Sequence, residues 1–426
     1  MEVSVGIMET SEVEIRFNGT YTSSHGEILS GVHVFNMQNL NSDQIIFSPE
    51  SFKDSYFEIA DVTIGKDFHW QQQEAQRFRG NLKLIRKGKI IIVINELPVE
   101  EYLRSVVSSE MKATAPLEFL KAHAVISRSW VISQIMHKNA NKGMTGMIEN
   151  GQECIKWYDH TQHIDFDVCA DDHCQRYQGI TKITNSNAIK AVTETTGLIL
   201  TYDGKICDTR FSKCCGGAFE RFDSCWGDET HPYLAEGRDL PHSPHLLDLT
   251  NEENAAKWIT DYPDALCNTS DRRLLQDSLN GYDRTTTDFY RWKVEYSQDE
   301  LSDIVRTRSE IDFGDITDLI PLKRGVSGRI IKLRIIGSKR SMTIGKELEI
   351  RRILSRSHLY SSAFIVKKEK CENELQNIFV IKGAGWGHGV GLCQIGAAIM
   401  ASKGYDFREI LRHYYPSSTL SAISIK

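Results

Sequence analysis

Three groups of residues in this 426-residue chain have the types and spacing to do chemistry. The first is a lone acid, Glu110, in Ser108-Ser109-Glu110-Met111, followed by Lys121, His123 and Arg128 in the next apolar stretch. A carboxyl group kept in a dry setting can donate a proton near neutral pH and take one back once ionised. The second group packs Cys154, His160, His163, Cys169, His173 and Cys174 into one short polar segment. Thiolates and imidazoles are the ligands of tetrahedral zinc, although the spacing is not the usual zinc-finger one, and a disulfide or unrelated thiols fit it too. The third is the Gly-rich run GAGWGHGVG, with glycines at 383, 385, 387, 389 and 391 around Trp386 and His388. At a helix start, such a run offers bare N–H groups, an imidazole and an aromatic face to a polar ligand. The order of its glycines fits neither a P-loop nor a dinucleotide fingerprint.

The elements that must position these groups are legible in part. Glu110 follows a β-like run, KGKIIIVINEL, and precedes Pro116, a residue suited to the first position of a helix. From Leu117 to His137 the spacing predicts a helix with Leu117, Leu120, Ala124, Val131 and Ile135 on one side and Phe119, Ile126 and Trp130 on the other. A helix apolar all round is buried. Lys121 and Arg128 fall within its apolar side, so each must meet an acid, a carbonyl or a ligand. The reading makes them a shell around Glu110 that binds substrate oxygens, with a structural ion pair as the alternative. Further on, FSKCCGG reads as a strand running into a tight turn at Gly216 and Gly217, where the backbone can approach a ligand closely. Gln394 to Ser402 reads as a helix.

Length allows two or three cores, and 40% hydrophobic with 25% charged residues is ordinary for a globular protein. A net charge of -6 without a basic tract excludes a nucleic-acid binder that relies on general electrostatics. No apolar run is long enough to span a bilayer. The alternating N-terminal residues lack the layout of a signal peptide, which leaves a cytoplasmic location open. The fold class expected is α+β. A β-rich part covers 1–95, a core 96–237 with a metal-binding loop at 151–178, a polar, mostly helical insertion 238–300, and a second half of the core 301–426.

Four colinear stretches, LPVEEYLRSVVSSEM with PLEFLKAHAVISRSW, then FSKCCGG, then SGRIIKLRI to SSAFIV, then GAGWGHGVGLCQIGAAIMASKGYDFREILRHYYP, resemble the family of stage II sporulation protein D and the LytB amidase enhancers (SpoIID/LytB). The resemblance implies a lytic transglycosylase acting on peptidoglycan glycan strands, those stripped of stem peptides in particular, and so an extracytoplasmic place of work. It puts the acid on Glu110 and structural zinc on His163, Cys169, His173 and Cys174, leaving Cys154 and His160 as spares. It also implies a glycan groove lined by Lys121, Arg128, Ser212, Gly216, Gly217, Trp386, His388, Gly389, Gln394 and Tyr415. A cell-wall amidase is a further partner, since some members are thought to enhance an amidase without cutting sugar. The chain departs from the family where Cys214, Cys215 and Cys393 replace residues that are usually Ser or Thr, which raises a local disulfide among Cys207, Cys214, Cys215 and Cys225.

A hydrolase ordinarily needs a second carboxylate at fixed separation. None stands out here, which suits attack by the sugar's own 6-hydroxyl. A thiol hydrolase using Cys393 with His388 or His413 is a rival reading.

Overall fold

Val3 and Val5 are buried on either side of the half-buried Ser4, and Ile7 joins them, so the strand Glu2–Thr10 buries one face against a core, while Gly6 on the other face is covered by Phe166. That core is the inside of a nine-stranded sheet in a computed structural model that describes residues 1–66, 71–137, 146–157, 163–243, 247–281, 287–370 and 377–423. Along the sheet the strands run Val168–Cys169, Glu2–Thr10, Ile90–Pro98, Asn81–Lys87, Gln44–Pro49, Glu12–Ser23, Tyr56–Ile64 and Gln72–Phe78, with Ile28–Asn36 also paired to Glu12–Ser23. The fold is α+β, as its alternating segments and apolar helix imply.

Two features of this sheet bear on the site. Its edge strand is the short Val168–Cys169, parallel to the first, with Val5 opposite Val168 and Gly6 opposite Cys169. Within it, an aromatic stack passes from Phe57 to Phe78 (5.3 Å), to Tyr177 (5.9 Å) and to Tyr102 (5.2 Å). Each such contact adds about 0.5–1.5 kcal/mol beyond its buried area, so the sheet is fastened to the segment after Cys174 and to the first helix.

That helix, α1 (Val99–Glu110), continues directly from the strand Ile90–Pro98, so the boundary drawn at residue 95 falls inside a strand. Next, α2 (Leu117–His137) is buried almost throughout from Phe119 to Ser133, in keeping with its apolar residues on every side. Its two inner cations do not reach Glu110. Arg128, fully buried, donates from Nε and Nη2 to the Glu100 carboxylate at 2.8 and 2.7 Å and from Nη1 to the Leu198 carbonyl at 3.0 Å. Lys121 pairs with Glu118 and Glu194, both at 2.7 Å. A buried cation must have an anion beside it, and these anions lie on α1, on α2 itself and on α3 (Ser186–Glu194).

The second half builds its own core. One sheet runs Ile316–Arg324, Ile330–Gly337, Ser341–Gly345, Glu153–Trp157, Gly146–Glu149, and another runs Arg291–Ser297, Asn377–Ala384, Phe364–Lys370. Cys154 is buried in this core, opposite Ile344, and is no part of the Cys/His group. His160 lies outside the described residues.

The 238–300 stretch carries helices α4 (Glu252–Thr260) and α5 (Arg272–Ser278). It is more than decoration, because Leu266, Cys267, Leu275 and Leu279 are buried in the main core. Four further helices complete the body: α6 (Gln298–Ser309), α7 (Glu347–Ile353), α8 (Gln394–Ser402) and α9 (Phe407–Tyr414). Of these, α9 opens with a full capping box between Asp406 and Glu409.

Candidate functional site

Glu110 is the last residue of α1 and only 7% exposed, yet its side chain lines a cavity of about 920 Å³. Its Oε1 accepts from the Arg176 backbone N–H at 2.8 Å. Its carbonyl accepts from Lys213 Nζ at 3.3 Å. The helix end is gripped from two sides. On one, the segment after Cys174 runs along α1, where the Gln178 N–H donates to Ser105 and Ser109 Oγ at 3.1 and 3.2 Å and Tyr102 donates to Gln175 Oε1 at 3.1 Å. On the other, the end of the 238–300 stretch closes the turn: Asn280 Nδ2 donates to the Ser109 carbonyl at 2.7 Å and the Lys112 N–H to the Ser278 carbonyl at 2.8 Å.

His163, Cys169, His173 and Cys174 line the same cavity with their donor atoms converged on one point, all within 4.8 Å of one another. His163 Nε2 and His173 Nδ1 are 3.3 Å apart, and Cys174 Sγ is 3.4 Å from each. A tetrahedral ion about 2.0–2.3 Å from each ligand sets donor separations of about 3.3–3.8 Å, so the donor set fits zinc. The Cys174 contact, and after it the imidazoles, hold the Cys169 thiol well below its usual range, while burial pushes Cys174 up. The order of elements explains the convergence: Cys169 is on the edge strand, and a turn stapled by the Asp171 carboxylate to the backbone N–H groups of Gly65 and Lys66 (3.1 and 2.8 Å) returns His173 and Cys174 to it.

The facing wall joins FSKCCGG to the Gly-rich run. Phe211–Ser212 pairs in parallel with Leu392–Cys393, and Cys214 and Trp386 exchange backbone hydrogen bonds of 3.1 and 2.7 Å. Trp386 is half-buried between Phe289 (5.0 Å) and Tyr360 (4.3 Å). His388 meets the ring of Trp226 edge-on at 4.8 Å and accepts from the Val390 N–H at Nδ1, 3.0 Å. Burial, then the charges of Arg210, Arg329 and Arg351, hold this imidazole well below its usual range, so it is neutral. Ser212 Oγ is buried on the cavity wall with no hydrogen-bond partner among the described residues. Gln394 Nε2 lies 3.1 Å from His123 Nε2. Burial, and after it Lys213, pushes the His123 ring down to about 3, so the neutral ring accepts from Gln394.

Glu110, Ser212, Trp386, His388, Gln394 and the four Cys/His residues thus line one cavity. Six expected groove residues stand elsewhere. Lys121 and Arg128 are held in the ion pairs described above. Gly216 and Gly217 do sit at positive φ, +78° and +98°, but a side chain on the first would strike Gly385 and Ala384 and on the second Tyr290 and Trp258, so their close approach is to protein. Gly389 is pressed on the Arg329 guanidinium. Tyr415 is fully buried, donating to the Arg210 carbonyl at 2.6 Å. Cys207, Cys214, Cys215 and Cys225 are free buried thiols, so no disulfide joins them. Cys393 is fully buried and off the cavity wall, which removes the geometry a thiol nucleophile needs.

Some cavity residues escaped the sequence. The cation against the Glu110 backbone is Lys213, inside the quoted FSKCCGG motif but masked there by the more conspicuous cations of α2. Arg210 lies 4.3 Å over Trp226. Asp172 is a second carboxyl on the same cavity, paired with Arg176 Nε, so the expectation that Glu110 has no second acid near it does not hold. Burial raises Asp172 to about 7, Arg176 opposes this, and the nearby Glu110 adds to it. In the sequence, the neighbouring Cys and His of Ala-Asp-Asp-His-Cys point to metal ligands, which hides this acid.

Known proteins resemble this chain over most of its length. A family profile described as "Stage II sporulation protein" matches residues 87–202, and one described as "Domain of unknown function (DUF8618)" matches 220–391. An uncharacterized protein of Brachyspira hyodysenteriae is 30% identical over 338 residues, covering 79% of this chain and 70% of its own. A stage II sporulation protein D of Bacillus amyloliquefaciens is 25% identical over 77% of this chain and 75% of its own. An amidase enhancer of Bacillus subtilis (strain 168) is 25% identical over 75% of this chain, which spans 40% of that protein's length.

Proposed function

The chain belongs to the stage II sporulation protein D family, and from that premise we propose that it is a peptidoglycan lytic transglycosylase. It cuts the bond from N-acetylmuramic acid to N-acetylglucosamine, in denuded glycan strands above all, outside the cytoplasm. The observation that carries this reading is Glu110, an acid at a helix end, largely withdrawn from water yet lining an open groove that it shares with aromatic rings, neutral polar groups and several arginines.

Glu110 donates its proton to the bridging oxygen as the bond to C1 breaks. The carboxylate left behind then takes the proton of the muramic acid 6-hydroxyl as that oxygen closes on C1. The products are a free 4-hydroxyl on one fragment and a 1,6-anhydro ring on the other, with no water consumed. The Arg176 N–H keeps the carboxylate oriented through both steps. Trp386 and Tyr360 offer apolar faces to a sugar ring, and Ser212 Oγ offers an unused hydroxyl to its substituents. His163, Cys169, His173 and Cys174 would hold zinc, whose part is structural because four protein ligands close its sphere. These ligands end two residues before Arg176, so they fix the N–H on which Glu110 rests.

Mass spectrometry of digested denuded peptidoglycan tests the assignment. Wild type yields 1,6-anhydro ends, and Glu110→Gln yields none while its circular dichroism is unchanged. A Glu110→Gln protein with full activity would overturn it. A second reading, a glycan-binding module that activates a cell-wall amidase, draws on the relative named amidase enhancer. Binding to sacculi with no anhydro product from wild type, together with faster peptide release by an added amidase, would favour that reading.

A further inference from the structure

A second set of metal-type donors lies behind the Trp386 wall, fully enclosed and absent from the catalytic scheme. Cys215, Asp239, Cys267 and Cys393 are all buried, and their donor atoms stand within 4.8 Å of one another. They come from three separate stretches: the turn after Phe211–Ser212, the 238–300 stretch, which supplies Asp239 at its start and Cys267 further on, and the residue before α8. Nothing in local sequence brings them together.

The geometry points to a closed zinc site with these four residues as ligands. Cys215 and Cys267 Sγ are 3.7 Å apart. Two thiolates each about 2.3 Å from a tetrahedral ion stand about 3.8 Å apart, whereas a disulfide would bring them to about 2.05 Å. The sulfurs already receive backbone N–H groups as thiolates do, Cys215 N–H to Cys393 Sγ at 3.2 Å and Gly217 N–H to Cys215 Sγ at 3.4 Å. Asp239 is oriented by Tyr414, which donates to Oδ1 at 2.8 Å, and by the Cys267 N–H, which donates to Oδ2 at 2.8 Å. Outer hydrogen bonds of this kind aim a ligand at its metal. Asp239 is fully buried and makes no ion pair among the described residues. Gly396 on α8 packs directly on it, since a side chain there would meet both carboxylate oxygens. Cys214 contacts Cys267 and Cys393 but stands outside the set of mutually close donors. As the ion enters, the protons of the three thiols and of the buried carboxyl leave to solvent.

The site ties the 238–300 stretch to the root of the groove wall, beside the Cys214–Trp386 pairing. Its test is zinc content, measured on protein dialysed against zinc and then freed of loose ion. Wild type carries one equivalent per chain more than Cys393→Ser, and His173→Ala, which breaks the Cys/His group on the groove, keeps that equivalent. Cys214→Ser also keeps it. Where Cys393→Ser is insoluble, the count on His173→Ala decides: one equivalent supports the site and none overturns it. A Cys215–Cys267 disulfide in the native protein, seen as a mass two hydrogens lighter under non-reducing conditions, or loss of the ion in Cys214→Ser, would equally overturn this ligand set.

Discussion

The two walls of the groove solve one problem by different means. Both must hold irregular backbone in place beside a cavity, where apolar packing is unavailable on the open side. The Glu110 wall does it with a chain of polar contacts running from the Cys/His group through Cys174 and Arg176 to the carboxylate. The Trp386 wall does it with main-chain pairing between Phe211–Cys215 and the Gly-rich run, backed by aromatic packing and by the enclosed Cys215 group. One wall therefore hangs on a half-exposed anchor, and the other on a buried one. The difference predicts which wall fails first and what fails with it.

Glu110→Gln gives the largest effect, because only the first wall carries the proton. General acid–base groups contribute about 10²–10⁴-fold, and single-turnover cleavage of denuded glycan should fall at least that far with the melting temperature unchanged. Equal loss in a Trp386 variant would erase the distinction between the walls.

Chelation comes next. A strong chelator should strip the half-exposed Cys/His group before the enclosed one, and activity and stability should fall together as the Arg176 N–H leaves Glu110. Loss of activity with no change in melting temperature would mean the ion is not structural.

Arg128→Ala strikes neither wall. It leaves the Glu100 carboxylate without its buried partner, and breaking such a pair costs about 3–5 kcal/mol. Denaturant unfolding should show that loss, with KM unaltered in the protein that remains folded. A raised KM without destabilisation would return Arg128 to the groove.

The sequence made α2 legible as a buried helix, since apolar residues on every side leave no solvent face. It likewise made the alternating strands of the first sheet legible, and the concurrence of Glu110, Trp386 and the four Cys/His residues through the resemblance. It could not give the partners of Lys121 and Arg128. Helical spacing says that a charge is buried but not which neighbouring helix supplies the acid, and both Glu100 and Glu194 look like ordinary surface residues in the sequence. Asp239 and Cys267 were hidden for the same reason. They lie in a stretch whose polarity reads as solvent-facing, and only the fold places Cys267 against Cys215.

Trp386→Ala tests the second wall directly. It removes a face in contact with Phe289 and Tyr360, and each aromatic contact is worth about 0.5–1.5 kcal/mol. If the ring binds sugar, KM for glycan should rise about two- to tenfold while kcat changes little. A fall in kcat with KM unchanged would place Trp386 with the Glu110 wall.

Lys121→Ala should give the smallest effect and the sharpest contrast with Arg128. Both cations sit on the inner side of α2, but the anions that Lys121 meets are more open to water: the Glu118 and Glu194 side chains are 32% and 40% exposed, whereas the Glu100 side chain that Arg128 meets is 20% exposed. Solvent screening keeps such pairs near about 0–1 kcal/mol. The variant should therefore unfold within that margin of wild type and bind glycan with the same KM. An unchanged stability with a severalfold higher KM would show that Lys121 leaves its two glutamates to reach substrate. In that case the helix would supply a cation to the groove.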